Sequence, residues 1–334
     1  MMATMNGSGG YSGAVRCVAV APAWHVPDLV EDARAGLLEP PRSLPPKYFY
    51  DAHGAALFDR ICDTPEYYPT RTEDALLRQH GDEIIALTRP DFLIELGSGS
   101  SKKTANLFDA CARQGHSCVY APFDICEPVL VEAAGKLQAA YPWLNVRPLL
   151  GDYHAGLANL PHFPGARLFM FLGGTIGNFT PPEVRAFIAD IRRRMQPGDF
   201  LLLGADRIKD NDVLHAAYND AQGITSEFNL NVLQVLNREL EADFRADNFA
   251  HLAVYSNELH RIEMYLVSGL RQEITLGRLD LRIQLERGEQ ILTELSYKFD
   301  YDELETLLEE FGLGIIRHFE PDNRYFSLVL AQSG

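Results

Sequence analysis

Between residues 91 and 206, short apolar runs alternate with stretches of helical periodicity, and no other feature of the chain narrows its fold so much. Asp91–Leu96, Cys118–Phe123, Val146–Leu150, Arg167–Leu172 and Phe200–Gly204 have the length and composition of buried strands. Lys103–Arg113 places Leu107, Phe108 and Cys111 on one side of a helix, and Pro128–Leu137 is a second helix. Thr180-Pro-Pro-Glu183 opens a third: Thr180 is the N-cap, proline fills the first turn, and Glu183 is placed to close a capping box. Val184, Phe187, Ile188, Ile191 and Met195 give it an apolar stripe, and Pro197-Gly198 ends it. Alternation of this kind predicts an α/β fold, a parallel sheet with helices on both faces.

The pattern changes after Asp206. Asp212–Phe244 reads as mostly helical, with Phe228, Val232, Leu236 and Leu240 in step, whereas His251–Val267 and Glu273–Tyr297 alternate like antiparallel strands. Asp302–Phe311 is again helical, and Gly314–His318 with Tyr325–Ala331 are expected to finish the sheet. Residues 72–208 and 299–334 therefore form the expected α/β domain, with 209–298 inserted. Residues 14–71, where prolines shape Ser43–Asp51 and Pro65–Arg71, are expected to join the insertion as a second, α+β domain. Thr72–Leu87 has helical spacing, and residues 1–13 are expected to be a disordered leader.

Composition excludes several function classes. Forty-six acidic against 30 basic side chains leave a net charge of −16, which repels a nucleic-acid backbone. The basic run Arg192–Arg194 reads as the wet face of a helix. No stretch approaches the roughly 20 apolar residues of a membrane span, and Ala14–Ala23 is too short and broken for a signal peptide. Five cysteines, with no C-x-x-C spacing, argue for buried thiols in a reduced, cytoplasmic protein without disulfides or a metal site.

The first strand of the alternation runs into Glu95-Leu-Gly-Ser-Gly-Ser-Ser-Lys-Lys-Thr104. Gly97 and Gly99 allow a tight turn and close approach of a ligand to backbone. A dinucleotide fingerprint would need glycine at 102, which is lysine, so an NAD dehydrogenase is disfavoured. The second strand ends in Asp124, where a carboxylate can accept both ribose hydroxyls of a nucleoside. The third ends in Gly151-Asp152-Tyr153, where an acid can take an adenine amino proton and an aromatic ring can cover the base. Any one strand-end aspartate is more often a turn or cap residue; three strand ends in register mark the carboxyl edge where open α/β sheets bind ligands. With Met195-Gln-Pro-Gly-Asp199 before the fifth strand, these features resemble a class I, Rossmann-like S-adenosylmethionine-dependent methyltransferase. Lys103 suits the methionine carboxylate of that cofactor.

Longer motifs sharpen the likeness. Leu44-Pro-Pro-Lys-Tyr-Phe-Tyr-Asp51, Pro65-Glu-Tyr-Tyr-Pro-Thr-Arg-Thr72, Glu95-Leu-Gly-Ser-Gly99, Phe171-Leu-Gly-Gly-Thr-Ile-Gly-Asn-Phe-Thr-Pro181, Arg261-Ile-Glu-Met-Tyr265 and Leu292-Thr-Glu-Leu-Ser-Tyr-Lys-Phe299 resemble the histidine-specific Nα-methyltransferases of ergothioneine biosynthesis, over nearly the whole chain from about Val30. The resemblance implies S-adenosylmethionine as cofactor, L-histidine as substrate and hercynine, the Nα-trimethyl product, after three methylations. It implies cofactor contacts at Gly97, Lys103, Asp124, Asp152, Tyr153 and Gly173. It implies substrate contacts at Tyr67, Asn178, Tyr218, Met264, Glu294 and Ser296, with Tyr50 and Asn178 closest to the chemistry. Tyr48 stands where the family carries Trp, and Tyr297 where Cys is common; neither is a contact position. A monomer is expected.

Taken alone, these residues are less decisive. Asn178 can accept from an amine and donate to a carboxylate, or can simply tolerate a left-handed turn. Tyr218 alone reads as a core or surface tyrosine. Glu294 and Ser296 share one strand face. With Lys298 beside them, their composition favours a solvated face over a pair that reads two imidazole nitrogens. The alternative substrate is another aromatic amino acid such as a tryptophan derivative, and Glu294, Ser296 and Met264 together favour histidine. A non-catalytic cofactor-binding scaffold is a further alternative, disfavoured by the intact substrate-side set.

Overall fold

A computed structural model describes residues 16–334; the expected leader over residues 1–13 lies outside them. β1 (Val18–Ala19) and β2 (Arg42–Ser43) are two-residue pieces that join different sheets. β3 (Phe92–Leu96), β4 (Val119–Asp124), β5 (Asn145–Val146), β6 (Leu149–Leu150), β7 (Arg167–Phe171) and β8 (Phe200–Asp206) are the runs read from the sequence. Pro148 has no N–H for the ladder, and the expected third strand is split around it into β5 and β6. The insertion supplies β9 (Phe249–Ser256), β10 (Arg261–Ser268), β11 (Gln272–Leu276), β12 (Leu281–Leu285) and β13 (Gln290–Tyr297). β14 (Leu313–Phe319) and β15 (Phe326–Ser333) close the chain.

The large sheet runs β1-β6-β4-β3-β7-β8-β15-β14, with β5 on β4. β15 and β14 are antiparallel; the strands on the other side of β15 are parallel. The chain steps from β3 outward to β4 and β6, then crosses back to β7. The crevice between the carboxyl ends of β3 and β7 is therefore the switch point where such sheets take ligands. On one face, α3 (Tyr68–Thr88), α4 (Ala105–Arg113) and α5 (Glu127–Ala140) cover Leu93, Tyr120, Met170, Leu202 and Leu330. On the other, α6 (Pro181–Arg194) and α9 (Tyr301–Glu310) cover Ile94, Phe169, Phe171, Leu203 and Val329. Glu183 accepts from the Thr180 N–H and hydroxyl, as its spacing predicts.

A separate core joins residues from Ala33 to Tyr67 with residues of the insertion. α1 (Leu29–Leu37), α2 (Ala52–Cys62), α7 (Asn211–Tyr218) and α8 (Ile224–Leu240) pack there against the sheet β2-β13-β10-β9. The helical stretch from Asp212 is thus two helices. Asp220 lies in the turn between them and caps the second through the Ile224 and Thr225 N–H groups. The start of the chain departs from the expected boundary. Val18–Ala19 pair with Leu149–Leu150 in the large sheet, so the second lobe begins nearer Leu29 than residue 14. All five cysteines are free; Cys111 and Cys118 are buried, while Cys17, Cys62 and Cys126 are partly exposed. Among the described residues no helix is long and apolar enough to cross a membrane, and no cluster of metal-ligating side chains occurs.

Candidate active site

The glycine turn after β3 brings most of the expected cofactor residues to one edge. Gly97 (φ +68°) donates its N–H to the Phe123 carbonyl, and a Cβ there would press to 3.2 Å from the Tyr153 ring. Gly99 donates to Asp124 Oδ2 at 2.9 Å, and the Cys126 N–H donates to Oδ1 at 3.0 Å. Burial raises the Asp124 carboxyl, and these N–H groups partly offset it. With two oxygens and about four lone-pair sites, the carboxylate keeps acceptor capacity for a ligand's hydroxyls. Asp152 behaves differently: burial works to raise it, but the His154 ring and N–H hold it low. Ser98 Oγ, buried in the turn, has no partner among the described residues. A bare glycine face, an under-used carboxylate and an orphaned hydroxyl fit an adenosine-bearing cofactor.

Lys103 does not stand free. Its ammonium pairs with Glu73, a fully buried carboxylate on α3 that also accepts the Gly173 N–H at 2.8–2.9 Å. Burial would lower the Lys103 pKa, but Glu73 overrides it and keeps the lysine charged. Gly204 in β8 makes room for this, since a Cβ there would lie 2.0 Å from Glu73 Oε1. Glu73 was not legible as a site residue; in sequence it is one acid within an amphipathic helix.

Beside this edge, between the lobes, opens a cavity. Tyr50, Tyr67, Asn178, Tyr218, Met264, Glu294 and Ser296 all line it, together with Gly173. Tyr50 packs edge-on against Phe58 and Phe228, and Tyr67 against Tyr218. Burial keeps both the Tyr50 and Tyr67 phenols protonated far beyond the ordinary range. Asn178 ends the short 3₁₀ turn after β7, and its amide has no protein partner among the described residues.

The β13 face reverses the composition-based reading. Glu294, Ser296 and Lys298 are 9%, 4% and 2% exposed, so this face is interior. The register between β10 and β13 shifts at Met264/Tyr265, carrying Thr293 out of step, and Thr293 Oγ1 ties the irregularity to the Met264 carbonyl. Burial pushes the Glu294 carboxyl up to about 7, with Lys298 pulling the other way. No group among the described residues donates to it. Lys298 bonds Asp206, Tyr218 and Ser296, and Asp206 also takes Lys209 and the Tyr68 hydroxyl. Asp206 was missed although it ends β8 as Asp124 ends β4; the strand-end rule that found one would have found the other.

A family model described as "Histidine-specific methyltransferase, SAM-dependent" matches residues 29–333. This chain belongs to that family. It is 46% identical to a histidine N-alpha-methyltransferase of Mycolicibacterium smegmatis, over 91% of this chain and 94% of that one. It is 44% identical to one of Mycobacterium tuberculosis over the same shares. It is 29% identical to ergothioneine biosynthesis protein 1 of Neurospora crassa, over 88% of this chain and 33% of that longer one. The sheet order, with its antiparallel β15, is the class I methyltransferase arrangement expected from the sequence.

Proposed function

We propose that the protein transfers methyl groups from S-adenosylmethionine to the α-amino group of L-histidine, three times in succession, giving hercynine for ergothioneine synthesis, and that it acts as a cytoplasmic monomer. The observation that carries the choice of substrate is Glu294: an interior carboxylate facing the cavity with no donor among the described residues, two residues from a hydroxyl on the same strand face. An imidazole N–H satisfies it; an indole ring of a tryptophan derivative leaves it buried and unpaired. The mycobacterial relatives' names support the same substrate, and the fungal one supports the pathway.

In this reading Gly97, Asp124, Asp152, Tyr153 and Gly173 hold the cofactor, with Lys103 near its carboxylate. The cofactor supplies an electrophilic sulfonium methyl. What the protein contributes is position and dryness: the amine must lie in line with that methyl, stripped of water. Asn178, whose amide has no partner among the described residues, can hold the amino-acid head by accepting from the amine and donating to the carboxylate. Tyr50, kept neutral by burial, can pass the amine's proton through water but cannot serve as a phenolate base. The rings of Tyr50 and Tyr67 favour the cationic nitrogen that each transfer leaves.

The test is mass spectrometry of histidine incubated with protein and S-adenosylmethionine, where three added methyl groups are expected. Unmodified histidine beside methylated tryptophan or its derivatives would overturn the assignment.

A further inference from the structure

Among the described residues Lys298 is the one buried cation in contact with Ser296 and Tyr218. It is 2% exposed, and its three protons are all spent. One goes to Asp206 Oδ2 at 2.9 Å, one to the Tyr218 hydroxyl at 3.0 Å, and one to Ser296 Oγ at 2.8 Å. The two hydroxyls are themselves 2.8 Å apart. A phenol is the better donor and an aliphatic hydroxyl the better acceptor, so Tyr218 donates to Ser296. Ser296 Oγ then accepts twice, from Lys298 and from Tyr218, and an oxygen with two lone pairs has none left. Its proton has only the cavity to point into, and Glu294 lines the same cavity as an acceptor for a ligand.

We infer that Lys298 is a positioning residue for substrate choice: by occupying the Ser296 oxygen it turns that hydroxyl into a donor, so the site takes the imidazole neutral, with its bare nitrogen toward Ser296 and its N–H toward Glu294. This rests on histidine being the substrate. An imidazolium would aim a second N–H at a hydroxyl that cannot accept it. It would also bring a second positive charge against Lys298. Asp206 at the end of β8 is shared between Lys298 and Lys209, so it does not neutralise both. Tyr218 from α7, Tyr67 and Tyr68 at the start of α3 and Tyr50 from the N-terminal segment are neutral phenols, as is the more distant Tyr255 of β9. Glu294, on the same β13 face as Ser296 and Lys298, is the one acid besides Asp206 that lines the cavity among the described residues, and it is the group left to take the ring N–H.

Replacing Lys298 by Met removes the charge and frees a lone pair on Ser296, which can then accept from an imidazolium N–H. Asp206 keeps Lys209 and Tyr68, so one of its ion pairs survives. The KM for histidine should be measured from pH 5.5 to 7.5 with Glu294→Gln in both proteins compared, because the Glu294 carboxyl, pushed by burial up to about 7 and pulled the other way by Lys298, would otherwise titrate in the same window; Lys209, lowered by burial to about 8, stays largely charged there. With a ring pKa of about 6.5, the protein that keeps Lys298 should show a roughly tenfold rise in KM at the acid end. Lys298→Met should flatten it, while protonation of the α-amine contributes equally to both proteins. Ser296→Ala should weaken binding without flattening the profile, because Lys298 still opposes the cation. A merely structural lysine would change kcat or stability and leave the slope alone, and an unchanged slope in Lys298→Met overturns the proposal. A measurement that needs no variant stands beside it: ring-¹⁵N-labelled histidine bound to the wild-type protein with S-adenosylhomocysteine at pH 5.5. One protonated and one bare ring nitrogen are expected, and two protonated nitrogens overturn the role of Lys298 while leaving histidine as the substrate. If histidine does not bind at pH 8 either, the substrate assignment fails and this inference falls with it.

Discussion

Glu73→Gln should harm the protein more than changing Glu73 and Lys103 together. The glutamine is isosteric and its carbonyl can still accept the Gly173 N–H, so no cavity opens and no backbone group is orphaned. What it leaves is a mostly buried Lys103 ammonium, 21% exposed, without its counter-charge. Removing one member of a buried ion pair costs about 3–5 kcal/mol; the partial exposure of Lys103 favours the lower end. Lys103→Met strands the other charge, on a carboxylate that is fully buried, and should cost about the same. If the two effects were independent, the double variant would lose roughly 6 kcal/mol or more. With both charges gone and the Gly173 N–H still paired, it should lose only about 1–2 kcal/mol, since replacing a whole buried pair by neutral groups is close to neutral. Urea unfolding midpoints of the four proteins measure this directly. Additive losses would mean that the pair is not the coupled unit its geometry makes it. The double variant also isolates the ligand role of Lys103. If this lysine meets the cofactor carboxylate, the recovered fold should still bind S-adenosylmethionine roughly tenfold or more weakly, from the loss of a charged hydrogen bond worth about 1.5–3 kcal/mol. Wild-type affinity would make Lys103 a strut alone.

Asp124→Ala should weaken S-adenosylmethionine binding by about one to two decades, because two hydroxyls lose a charged acceptor; unchanged affinity by calorimetry in a folded variant would remove Asp124 from the ribose site. Asn178→Ala should depress turnover of histidine far more than cofactor binding, and a fall in cofactor affinity with an unmoved KM for histidine would reassign the amide. Without histidine, Glu294→Gln should stabilise the protein at pH 8 and do little at pH 4. The folded carboxyl holds its proton to about pH 7 while the unfolded one releases it near 4.5. Stability of the wild type therefore falls as pH rises through that window, by up to about 3 kcal/mol, and a thermal shift for the variant that is equal at both pH values would contradict this.

How far the sequence carries can be judged residue by residue. The strands around Ile94, Phe123 and Phe171 were legible because an all-buried parallel strand shows as an unbroken apolar run. Asp124 and Asp152 were legible because position in such a sheet is nearly position in sequence: they end strands, and strand ends share an edge. The substrate wall follows no such rule. Glu294, Ser296 and Lys298 alternate along β13 like a solvated face, and nothing local distinguishes water from a neighbouring lobe as the medium they meet. Their motif could be matched, but their burial depends on α7 and β8, far away in the chain. Glu73 was hidden for the same reason: its partners, Lys103 and Gly173, come from two other elements. The split of the third strand is the reverse case: Pro148, which has no N–H for the ladder, signals it within a run that otherwise has strand composition.

The buried charges also bear on how the second lobe is held. The insertion leaves the large sheet after Asp206 and returns at Phe299, and the two crossings lie side by side. The Phe299 N–H donates to the Asp206 carbonyl, the Ile208 N–H donates to the Phe299 carbonyl, and Arg207 bridges Phe299. Lys298 and Asp206, one residue inside these crossings, join their side chains in the same place. A pair of hydrophobic residues would hold the crossing at least as well, because a buried ion pair seldom exceeds its own desolvation cost. What such residues could not do is reach Ser296 and Tyr218. The charge pair therefore makes physical sense as a shared device: it fixes where the inserted lobe joins the sheet and, from the same atoms, holds the two hydroxyls that line the cavity. On the proposed placement of histidine, the junction of the lobe and recognition of the ring are tied to one another, and a change that loosens the crossing should raise the kcat/KM for other aromatic amino acids relative to histidine before it lowers the unfolding midpoint.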